Sequence, residues 1–422
     1  MTPWKRANSG PWVVVYFNGA FVNNENGAQS RVSDLMMFLS SVNARIVFYS
    51  YRGHNAWPWG DAEISRFGKL YPAAELVLEE SSCLLRAWSR TKVVLAALAP
   101  RLAREVARWR LPFLSPRLRA LSSRPELSLF VVNYARGLLE LNGLPDAELI
   151  VETHDLAFLS CAKRSGGSVT DARTILKARG ELAILGSAGA LIGITPTEVS
   201  FFRMLLPEVQ TYYVPKYAGA ASPSLESPAP ELRYDLLFVG SDNPFNACGL
   251  VGFMRDHRNW LSGRSFAIAG RVCAVPGVAE AAQEIGAVLL GYVQYLPRVY
   301  AESRIVVSPV EGTGLKIKVI DALGAGKPVF GSPHTIAGLP PGFEACVFPI
   351  DEAEMDRMLS DEAWRAHAGR SALRYAATLT EAGDCEAFRS RLLAWPVTDV
   401  QFERAAFARV ITTTAGLTHG IE

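Results

Sequence analysis

The run 308–331, SPVEGTGLKIKVIDALGAGKPVFG, constrains the fold more than any other part of the chain. Three apolar residues at 305–307 precede it and predict a buried strand that ends there. Gly312 and Gly314 then open a turn, and apolar residues at helical spacing follow up to Leu323. A second short apolar run comes directly after this helix. The order strand, glycine-rich turn, helix, strand predicts a right-handed parallel crossover in an α/β protein.

The turn in this run also has the features of an anion-binding site. Backbone N–H groups at the start of a helix have no partner inside the helix, and the helix dipole adds partial positive charge there. Gly312 and Gly314 let a ligand approach the backbone closely. Lys316 and Lys318 add mobile positive charge, and Asp321 lies where it can accept hydrogen bonds from ribose hydroxyls. We therefore predict a site for a phosphate or diphosphate.

The sequence Glu-Gly-Thr-Gly-Leu, followed by Asp-Ala-Leu-Gly-Ala-Gly-Lys-Pro-Val, resembles the nucleotide-sugar loop and helix of GT-B glycosyltransferases, in particular the retaining family-four type. The resemblance implies that Glu311 faces the donor sugar and that Asp321 holds the ribose. Nine residues separate these two acids, where the family has seven, and the family's second acid is Glu. A glycine-rich turn of any α/β protein is the less specific alternative. The residues implied to bind the diphosphate are Gly312, Thr313, Gly314 and Leu315.

The two halves of the chain show the same architecture. Apolar strands at 12–17, 127–132 and 148–152 alternate with helical patterns in the first half, and strands at 234–240 and 265–270 restart the alternation in the second. We therefore predict the α/β class with the GT-B fold, in which two doubly wound Rossmann-like domains face each other across a cleft. We predict an N-terminal acceptor-side domain at 1–217 and a Pro- and Ser-rich linker at 218–232. A C-terminal nucleotide-sugar-binding domain follows at 233–395, and a helix at 396–422 crosses back to the first domain.

His154 follows the predicted strand 148–152. Ligands of open α/β sheets bind at the carboxyl ends of the strands, so this side chain is placed to face the cleft. By resemblance it contacts the donor sugar or its phosphate, and Asp155 either orients the imidazole or caps the next helix. By the same resemblance, Gly27 lets the backbone of the first domain lie near the donor or acceptor. The alternative is that this glycine only marks the start of a helix.

Further donor contacts are implied in the second half. Gly240 and Ser241 would abut the donor phosphates, and the backbone at Tyr292 and Val293 would pair with the edge of the nucleobase. Many family members carry Arg and Lys just beyond the first of these loops, whereas this chain has Ser and Asn there. Cations for the leaving diphosphate must then come from elsewhere. The candidates are Lys316, Lys318 and Arg271, the last of which also suits an ordinary surface position. The predicted catalytic residues are His154, Glu311 and Lys318.

Composition limits the remaining options. The 422 residues are 49% hydrophobic and 20% charged, so the chain can bury a large core, and its net charge of +2 argues against bulk nucleic-acid binding. Six scattered cysteines have no metal-binding spacing and fit a reducing compartment. Because no Asp-x-Asp motif appears, we expect no metal and no cofactor, with the nucleotide sugar as substrate. The N-terminal residues lack a signal-peptide core and no apolar run reaches about 18 residues. We expect a cytoplasmic protein, soluble or peripheral on the inner face of the cell membrane.

Residues 86–124 carry a local excess of positive charge that the whole-chain value hides. This stretch contains ten basic residues and one acidic residue, Glu105, and apolar residues recur among them at helical spacing. A basic amphipathic helix with a Trp near its end can lie in a membrane interface. Resemblance to lipid-dependent GT-B enzymes implies docking to an anionic membrane beside the acceptor site. The alternative is a surface helix whose Arg stems cover apolar neighbours. The basic residues are Arg86, Arg90, Lys92, Arg101, Arg104, Arg108, Arg110, Arg117, Arg119 and Arg124.

Together these features predict a glycosyltransferase of the hexosyl class. It would move a sugar from a nucleoside-diphosphate sugar to a hydroxyl, without metal and, by resemblance, with retention of the anomeric configuration. The expected acceptor is a glycan or lipid-linked glycan of a cell-surface polysaccharide. The alternatives are a nucleotide-sugar epimerase or phosphorylase on the same fold, or a non-catalytic GT-B binding module. A dinucleotide-binding oxidoreductase is disfavoured, because no GxGxxG follows the first strand.

Overall fold

The computed structural model describes residues 10–145, 147–217, 231–312, 314–381 and 383–394. Most of the predicted linker, the predicted crossing helix 396–422 and Thr313 lie outside these ranges. The described residues form two parallel sheets, one of seven strands and one of six. None of the described helices is both long enough and apolar enough to span a bilayer.

The first sheet has the order β3-β2-β1-β4-β5-β6-β7, and all its neighbouring strands pair in parallel. Its central strands are runs of Val, Ile, Phe and Tyr, because both faces of the sheet are covered by helices and neither face needs polar residues. The strands are β1 (Trp12–Tyr16), β2 (Arg45–Tyr51), β3 (Glu75–Glu79), β4 (Leu127–Asn133), β5 (Glu148–Glu152), β6 (Ala190–Gly193) and β7 (Gln210–Tyr213).

Nine α-helices connect or flank these strands in the described part of the first half. They are α1 (Gly27–Ser41), α2 (Asp61–Leu70), α3 (Cys83–Leu98), α4 (Ala103–Arg108), α5 (Pro116–Ser122), α6 (Gly137–Glu140), α7 (Ala157–Arg164), α8 (Ala172–Leu185) and α9 (Pro196–Leu205).

The second sheet has the order β10-β9-β8-β11-β12-β13 and is also parallel throughout. Its strands are β8 (Tyr234–Val239), β9 (Phe266–Ala269), β10 (Val288–Gly291), β11 (Ser303–Ser308), β12 (Val329–Gly331) and β13 (Val347–Pro349). Its helices are α10 (Pro244–Asp256), α11 (Arg258–Leu261), α12 (Pro276–Ile285), α13 (Leu296–Ala301), α14 (Ile317–Gly324), α15 (Pro333–Ile336), α16 (Glu352–Ser360) and α17 (Glu362–Glu381).

Each sheet separates two apolar clusters, one on each face. In the first domain, alternate residues of β1 divide between the faces: Val13 and Val15 join one cluster and Val14 and Tyr16 the other. The second sheet divides in the same way. This three-layer arrangement confirms the predicted α/β class with two doubly wound domains.

The chain returns to the first domain through a last described helix, α18 (Cys385–Ala394). Cys385, Phe388 and Leu392 of this helix are buried in the core of the first domain. Phe388 stacks on Phe38 of α1, with ring centroids 5.7 Å apart. The crossing therefore takes place within residues that the sequence assigned to the second domain, ahead of the predicted start at 396.

The basic stretch 86–124 is not one helix. It falls into α3, a single 3-10 turn at Pro100–Leu102, α4 and α5. Pro100 lacks the N–H that an α-helix interior requires, and Pro116 begins α5 as the first helical residue. Lys92 is fully buried, and its ammonium donates to the backbone oxygen of Leu141. The exposed charge of this region is thus carried by arginines.

A buried ion pair joins α1 to β5 at the wall of the cleft between the domains. Arg31 and Glu152 are 2% and 0% exposed, and Arg31 Nε donates to Glu152 Oε1 over 3.1 Å. The Tyr217 hydroxyl donates to the second carboxylate oxygen, and the guanidinium carbon lies 4.2 Å above the centre of the Tyr217 ring. Arg31 Nη1 also donates to the backbone oxygen of Pro215 over 3.1 Å. The pair therefore ties helix α1 and strand β5 to the segment that leaves the domain.

Replacing Glu152 by Gln should lower the free energy of unfolding by about 3–5 kcal/mol, because it leaves the Arg31 charge buried without its counter-ion. Urea denaturation monitored by tryptophan fluorescence measures the change. The matched control is Arg203→Gln, which breaks the exposed pair with Asp384 (2.9 Å) and should cost at most about 1 kcal/mol. Equal losses in the two variants would contradict this assignment.

Candidate active site

A cleft of about 1040 Å³ lies between the two domains, lined by residues that follow the carboxyl ends of strands in both sheets. Parallel topology brings these strand ends to one edge of each sheet. Every described residue predicted for the site lines this cleft: Gly27, His154, Gly240, Ser241, Arg271, Tyr292, Val293, Glu311, Gly312, Gly314, Leu315, Lys316, Lys318 and Asp321. The prediction for Thr313 lies outside the described residues.

The first turns of α1, α10 and α14 line the cleft. None of the three helices has an acidic residue in its first turn. Their N-terminal N–H groups and helix dipoles therefore direct positive potential into the cleft that no carboxylate of the same turn cancels. Helices α1 and α14 meet closely, since a Cβ added at Gly27 would lie 3.3 Å from Cγ1 of Ile317. The arrangement favours an anionic ligand.

The turn before α14 needs its glycines. Gly312 and Gly314 have φ angles of +110° and +75°, which residues with a side chain rarely adopt. Helix α14 begins at Ile317 with Lys316 as its N-cap, so its first turn lies further along the chain than the sequence predicted. Glu311 is exposed at the entrance to this turn.

Two lysines, Lys316 and Lys318, line the cleft beside the start of α14. Lys318 Nζ donates to Asn246 Oδ1 over 2.7 Å and lies 4.5 Å from the centre of the Phe238 ring. Asn246 Nδ2 in turn donates to Oγ of Ser241 over 3.1 Å. Lys318 thus supplies a cation to the loop after β8, where the sequence has no Arg or Lys.

The surroundings of both lysines disfavour their charged forms. Burial and, to a smaller extent, the neighbouring Lys316 lower the pKa of Lys318 to about 7. Burial and Lys163 lower the pKa of Lys316 to about 8, while Asp155 and Glu198 of the first domain oppose the fall. Near neutral pH these groups hold their protons weakly, and an anion bound beside them would restore full charge.

Asp321 opens onto the cleft from α14. The walls of the cleft remove much of its water and raise the pKa of Asp321 to about 7, and Asp34 on α1 adds to the rise. Lys216, just before the end of the first domain, opposes it. Two carboxyl groups from different domains therefore face each other here, with one cation nearby.

His154 is fixed by its neighbours and not by the acid that follows it. Its Nε2 lies 2.8 Å from Asn133 Oδ1, and its ring stacks on Tyr134 with centroids 4.3 Å apart. Burial lowers the pKa of His154 to about 3, with Arg31 as a second cause, so the imidazole is neutral. Asp155 instead accepts a hydrogen bond from Ser160 Oγ over 2.5 Å. The N-terminal amides of α7 are capped by Glu181, so neither sequence-based role for Asp155 holds.

The backbone at this point is strained. Tyr134 and His154 have φ angles of +67° and +59°, an uncommon region for residues with a side chain. They follow the adjacent strands β4 and β5. Such conformations persist only when the surrounding structure enforces them, and they cluster at functional sites.

Arg271 and Tyr292 bridge the domains. Arg271 donates to Glu25 over 2.6 Å and to Asp242 over 3.2 Å, and the Tyr292 hydroxyl donates to the backbone oxygen of Asn23 over 2.7 Å. The positive charge of Arg271 is therefore already matched by two carboxylates. Its sequence-based role as a ligand of the diphosphate stays a prediction.

Several residues that line the cleft were not found from the sequence. Asn18, His54, Trp57 and Glu140 all belong to its wall in the first domain. Their only sequence signal was their position in loops or short helices after strands, which gives no indication of mutual contact. Among the described residues, no group of three or more His, Cys, Asp or Glu could hold a metal ion. Metal independence stays a prediction.

Comparison with known proteins supports the same site. Residues 233–359, which include β8 to β13 and the Gly312 turn, match the family model described as Glycosyl transferases group 1. No curated protein sequence matches the chain.

Solved structures resemble the described fold over nearly its whole length at low sequence identity. Sucrose-phosphate synthase from Thermosynechococcus elongatus has a TM-score of 0.61 at 14% identity, covering 96% of this chain and 100% of that one. A TarM variant from S. aureus, in complex with Fondaparinux, alpha-GlcNAc-glycerol and UDP, has a TM-score of 0.63 at 9% identity, covering 91% and 100%. Anabaena HepE in complex with UDP has a TM-score of 0.58 at 12% identity, covering 90% and 100%.

At these identities the structural matches establish the fold alone, and the family model matches only the second domain. The chain therefore has the fold of GT-B glycosyltransferases, and residues 233–359 of its second domain resemble the Glycosyl transferases group 1 family.

Proposed function

We propose that the protein transfers a hexosyl group from a nucleoside-diphosphate sugar to a hydroxyl of an acceptor bound by the first domain. The observation that carries this proposal is the meeting of three helix N-termini, none with an acid in its first turn, beside Lys316 and Lys318. The TarM and HepE structures are both recorded with UDP. A uridine diphosphate donor is therefore the first to test.

The proposed chemistry depends on stabilising the diphosphate as it leaves. Amides that begin α14 and the Lys318 ammonium would meet the negative charge that develops on the bridging oxygen. Losing one such donor typically raises the barrier by about 3 kcal/mol. Asp321 would accept hydrogen bonds from the ribose, and the backbone at Tyr292 and Val293 would meet the base. Neutral His154 would hydrogen-bond the donor sugar and would not serve as an acid.

The stereochemical part of the proposal is retention, which rests on the resemblance of the 308–331 run alone. Asp155 is engaged by Ser160, and Glu311 is exposed at the mouth of the cleft. We therefore propose no covalent sugar intermediate. The configuration of the new bond in the product, read by proton NMR, tests this point.

Wild-type protein should bind UDP with net proton uptake at pH 7.5, because the diphosphate favours the charged form of Lys318. Calorimetry in two buffers of different ionisation enthalpy measures the uptake. Lys318→Met should weaken binding about 10- to 100-fold and abolish most of the uptake. Asp321→Asn should weaken binding similarly and keep the uptake.

Absence of binding for both UDP and GDP would overturn the donor assignment. Release of nucleoside diphosphate from the sugar nucleotide only when acceptor is present would separate transfer from epimerisation. A protein that binds UDP but never releases it from a sugar nucleotide would instead be a binding module.

Lys318→Met should also stabilise the free protein at pH 6 by on the order of 2 kcal/mol. The folded pKa of Lys318, about 7, lies below the unfolded value of 10.5, so charging this lysine opposes folding below pH 7. Between these two values the unfolded chain binds more protons, so this cost fades as pH rises. Thermal unfolding at pH 6 and pH 9 should show a gain that shrinks at the higher pH. Lys69→Met, at an exposed position, should change neither value.

We further propose that the surface formed by α3, α4 and the residues up to Phe113 docks to anionic lipid on the inner membrane face. Leu98, Phe113 and Trp109 are 70%, 68% and 45% exposed there. The neighbouring exposed arginines provide charge complementarity to acidic headgroups. The opposite side of α3 lines the cleft through Val93, Ala96 and Ala97. This continuity favours a lipid-linked glycan as the acceptor.

Replacing Arg101, Arg104 and Arg108 together by Gln should reduce binding to vesicles about 100-fold, since each surface charge contributes about 1 kcal/mol. Co-sedimentation with vesicles made of equal parts phosphatidylglycerol and phosphatidylcholine measures this binding. Wild-type protein should not bind pure phosphatidylcholine comparably. Met204→Ser, at an exposed apolar position on α9, is the control and should bind as wild type. Wild-type binding that is indifferent to lipid charge would reject this surface.

A further inference from the structure

The cleft extends beyond the proposed donor site along the first domain. Its wall there consists of the loops after β1 and β2 and the short helix α6. Asn18, His54, Trp57 and Glu140 line this part, and the donor site proposed above uses none of them. We propose that these four residues form a subsite for a sugar ring of the acceptor. The proposal rests on the glycosyl transfer proposed above and specifies the chemical class of its acceptor as a saccharide.

An aromatic stack forms one wall of the subsite. The rings of Trp57 and His54 lie 4.9 Å apart between centroids and are inclined by only 5°. Trp57 also packs on the buried ring of Phe17, at 6.3 Å and 20°. Trp57 and His54 are half-buried and line the cleft. Aromatic side chains with a few polar groups beside them suit the C–H groups and hydroxyls of a pyranose ring.

His54 is held as a neutral hydrogen-bond donor. Its Nδ1 accepts the backbone N–H groups of Ala56 and Trp57 over 3.2 and 3.1 Å. Because Nδ1 accepts, the ring proton must lie on Nε2. Burial lowers the pKa of His54, which keeps the imidazole uncharged near neutral pH, although Glu140 opposes the shift. Nε2–H is thus a fixed donor for a sugar hydroxyl.

Glu140 provides the complementary acceptor. Its Oε2 accepts from the Tyr16 hydroxyl and from Asn18 Nδ2, both over 3.1 Å, and its Oε1 accepts from Arg136 Nε over 3.0 Å. Three donors fix the carboxylate in place and leave it further lone pairs. A fixed carboxylate beside an amide and an N–H donor can bind neighbouring hydroxyls, each of which both donates and accepts.

The loops that carry these groups are packed tightly. Gly19 has a φ of +108°, and a Cβ at this position would lie 3.1 Å from both His54 Cγ and the backbone oxygen of Trp57. Ser50 Oγ accepts from the Gly19 N–H and from Trp59 Nε1, both over 3.0 Å. Trp59 is buried in the core, so it anchors the loop while Trp57 remains at the cleft. The subsite is therefore pre-formed, which lowers the entropy lost on binding.

Saturation-transfer NMR on UDP-saturated protein tests the proposal. The probes are the methyl glycosides of glucose, galactose, mannose and N-acetylglucosamine. At least one should receive saturation at its ring protons from wild-type protein. Trp57→Ala and Glu140→Gln should each reduce this signal at least about fivefold, and Trp57→Phe, which keeps an aromatic face, should retain most of it.

Trp364→Ala is the matched control. Trp364 is also half-buried and packs on an aromatic ring, Phe348, but it belongs to α17 and does not line the cleft. This variant should keep the signal. The affinity for UDP, measured by calorimetry, should stay within about twofold of wild type in every variant, which also verifies that each one is folded.

The outcomes separate the two proposals. Absence of binding for both UDP and GDP in the wild-type protein would overturn the glycosyl-transfer proposal. Normal UDP binding without any saccharide signal, or with a signal that survives both Trp57→Ala and Glu140→Gln, would overturn the subsite alone. A signal lost equally in Trp364→Ala would show that it does not come from this surface and would also reject the subsite.

Discussion

Parallel strands place the N-terminus of each following helix at the edge where the strand ends. Here two such edges face each other, and three helix N-termini without acids in their first turns line the space between them. The resulting positive potential comes from peptide dipoles, which cannot be removed by a change of protonation state. The glycine turn and the two lysines add to a positive potential that the topology already creates.

Lys318 on α14 supplies the positive charge that the loop after β8 lacks. The loop after β8 carries no cation, yet Lys318 reaches it from α14 and bonds Asn246, which is itself held by Ser241. Burying this ammonium costs stability, as its lowered pKa indicates. A weakly held proton on a lysine that lines the cleft suits the binding of an anion that restores the charge. Arg271 differs from Lys318, because carboxylates from both domains already match its positive charge.

Much of the fold followed from the sequence. Apolar runs of β-branched and aromatic residues predicted β1, β4 and β5 to within about a residue at each end, because parallel strands buried on both faces need such residues. The sequence did not locate the start of α7, because the first amides of this helix bond Glu181, which lies on another helix. The spacing of apolar residues in the basic stretch 86–124 predicts one amphipathic helix, but Pro100 and Pro116 divide it. The role of Asp155 was misjudged because the true partner of His154, Asn133, lies on a different strand.

The sequence by itself determined the two α/β domains, the glycine turn before α14 and the residues that gather at the strand ends. Each of these is encoded by residues close together in the chain, through periodicity, backbone freedom at glycine and helix polarity. Only the tertiary structure decided which side chains meet: Arg31 with Glu152, Lys318 with Asn246, Arg271 with Glu25. It alone placed the aromatic stack beside Glu140. Such contacts join residues up to 246 positions apart, and no local pattern records them, because they depend on how whole layers pack.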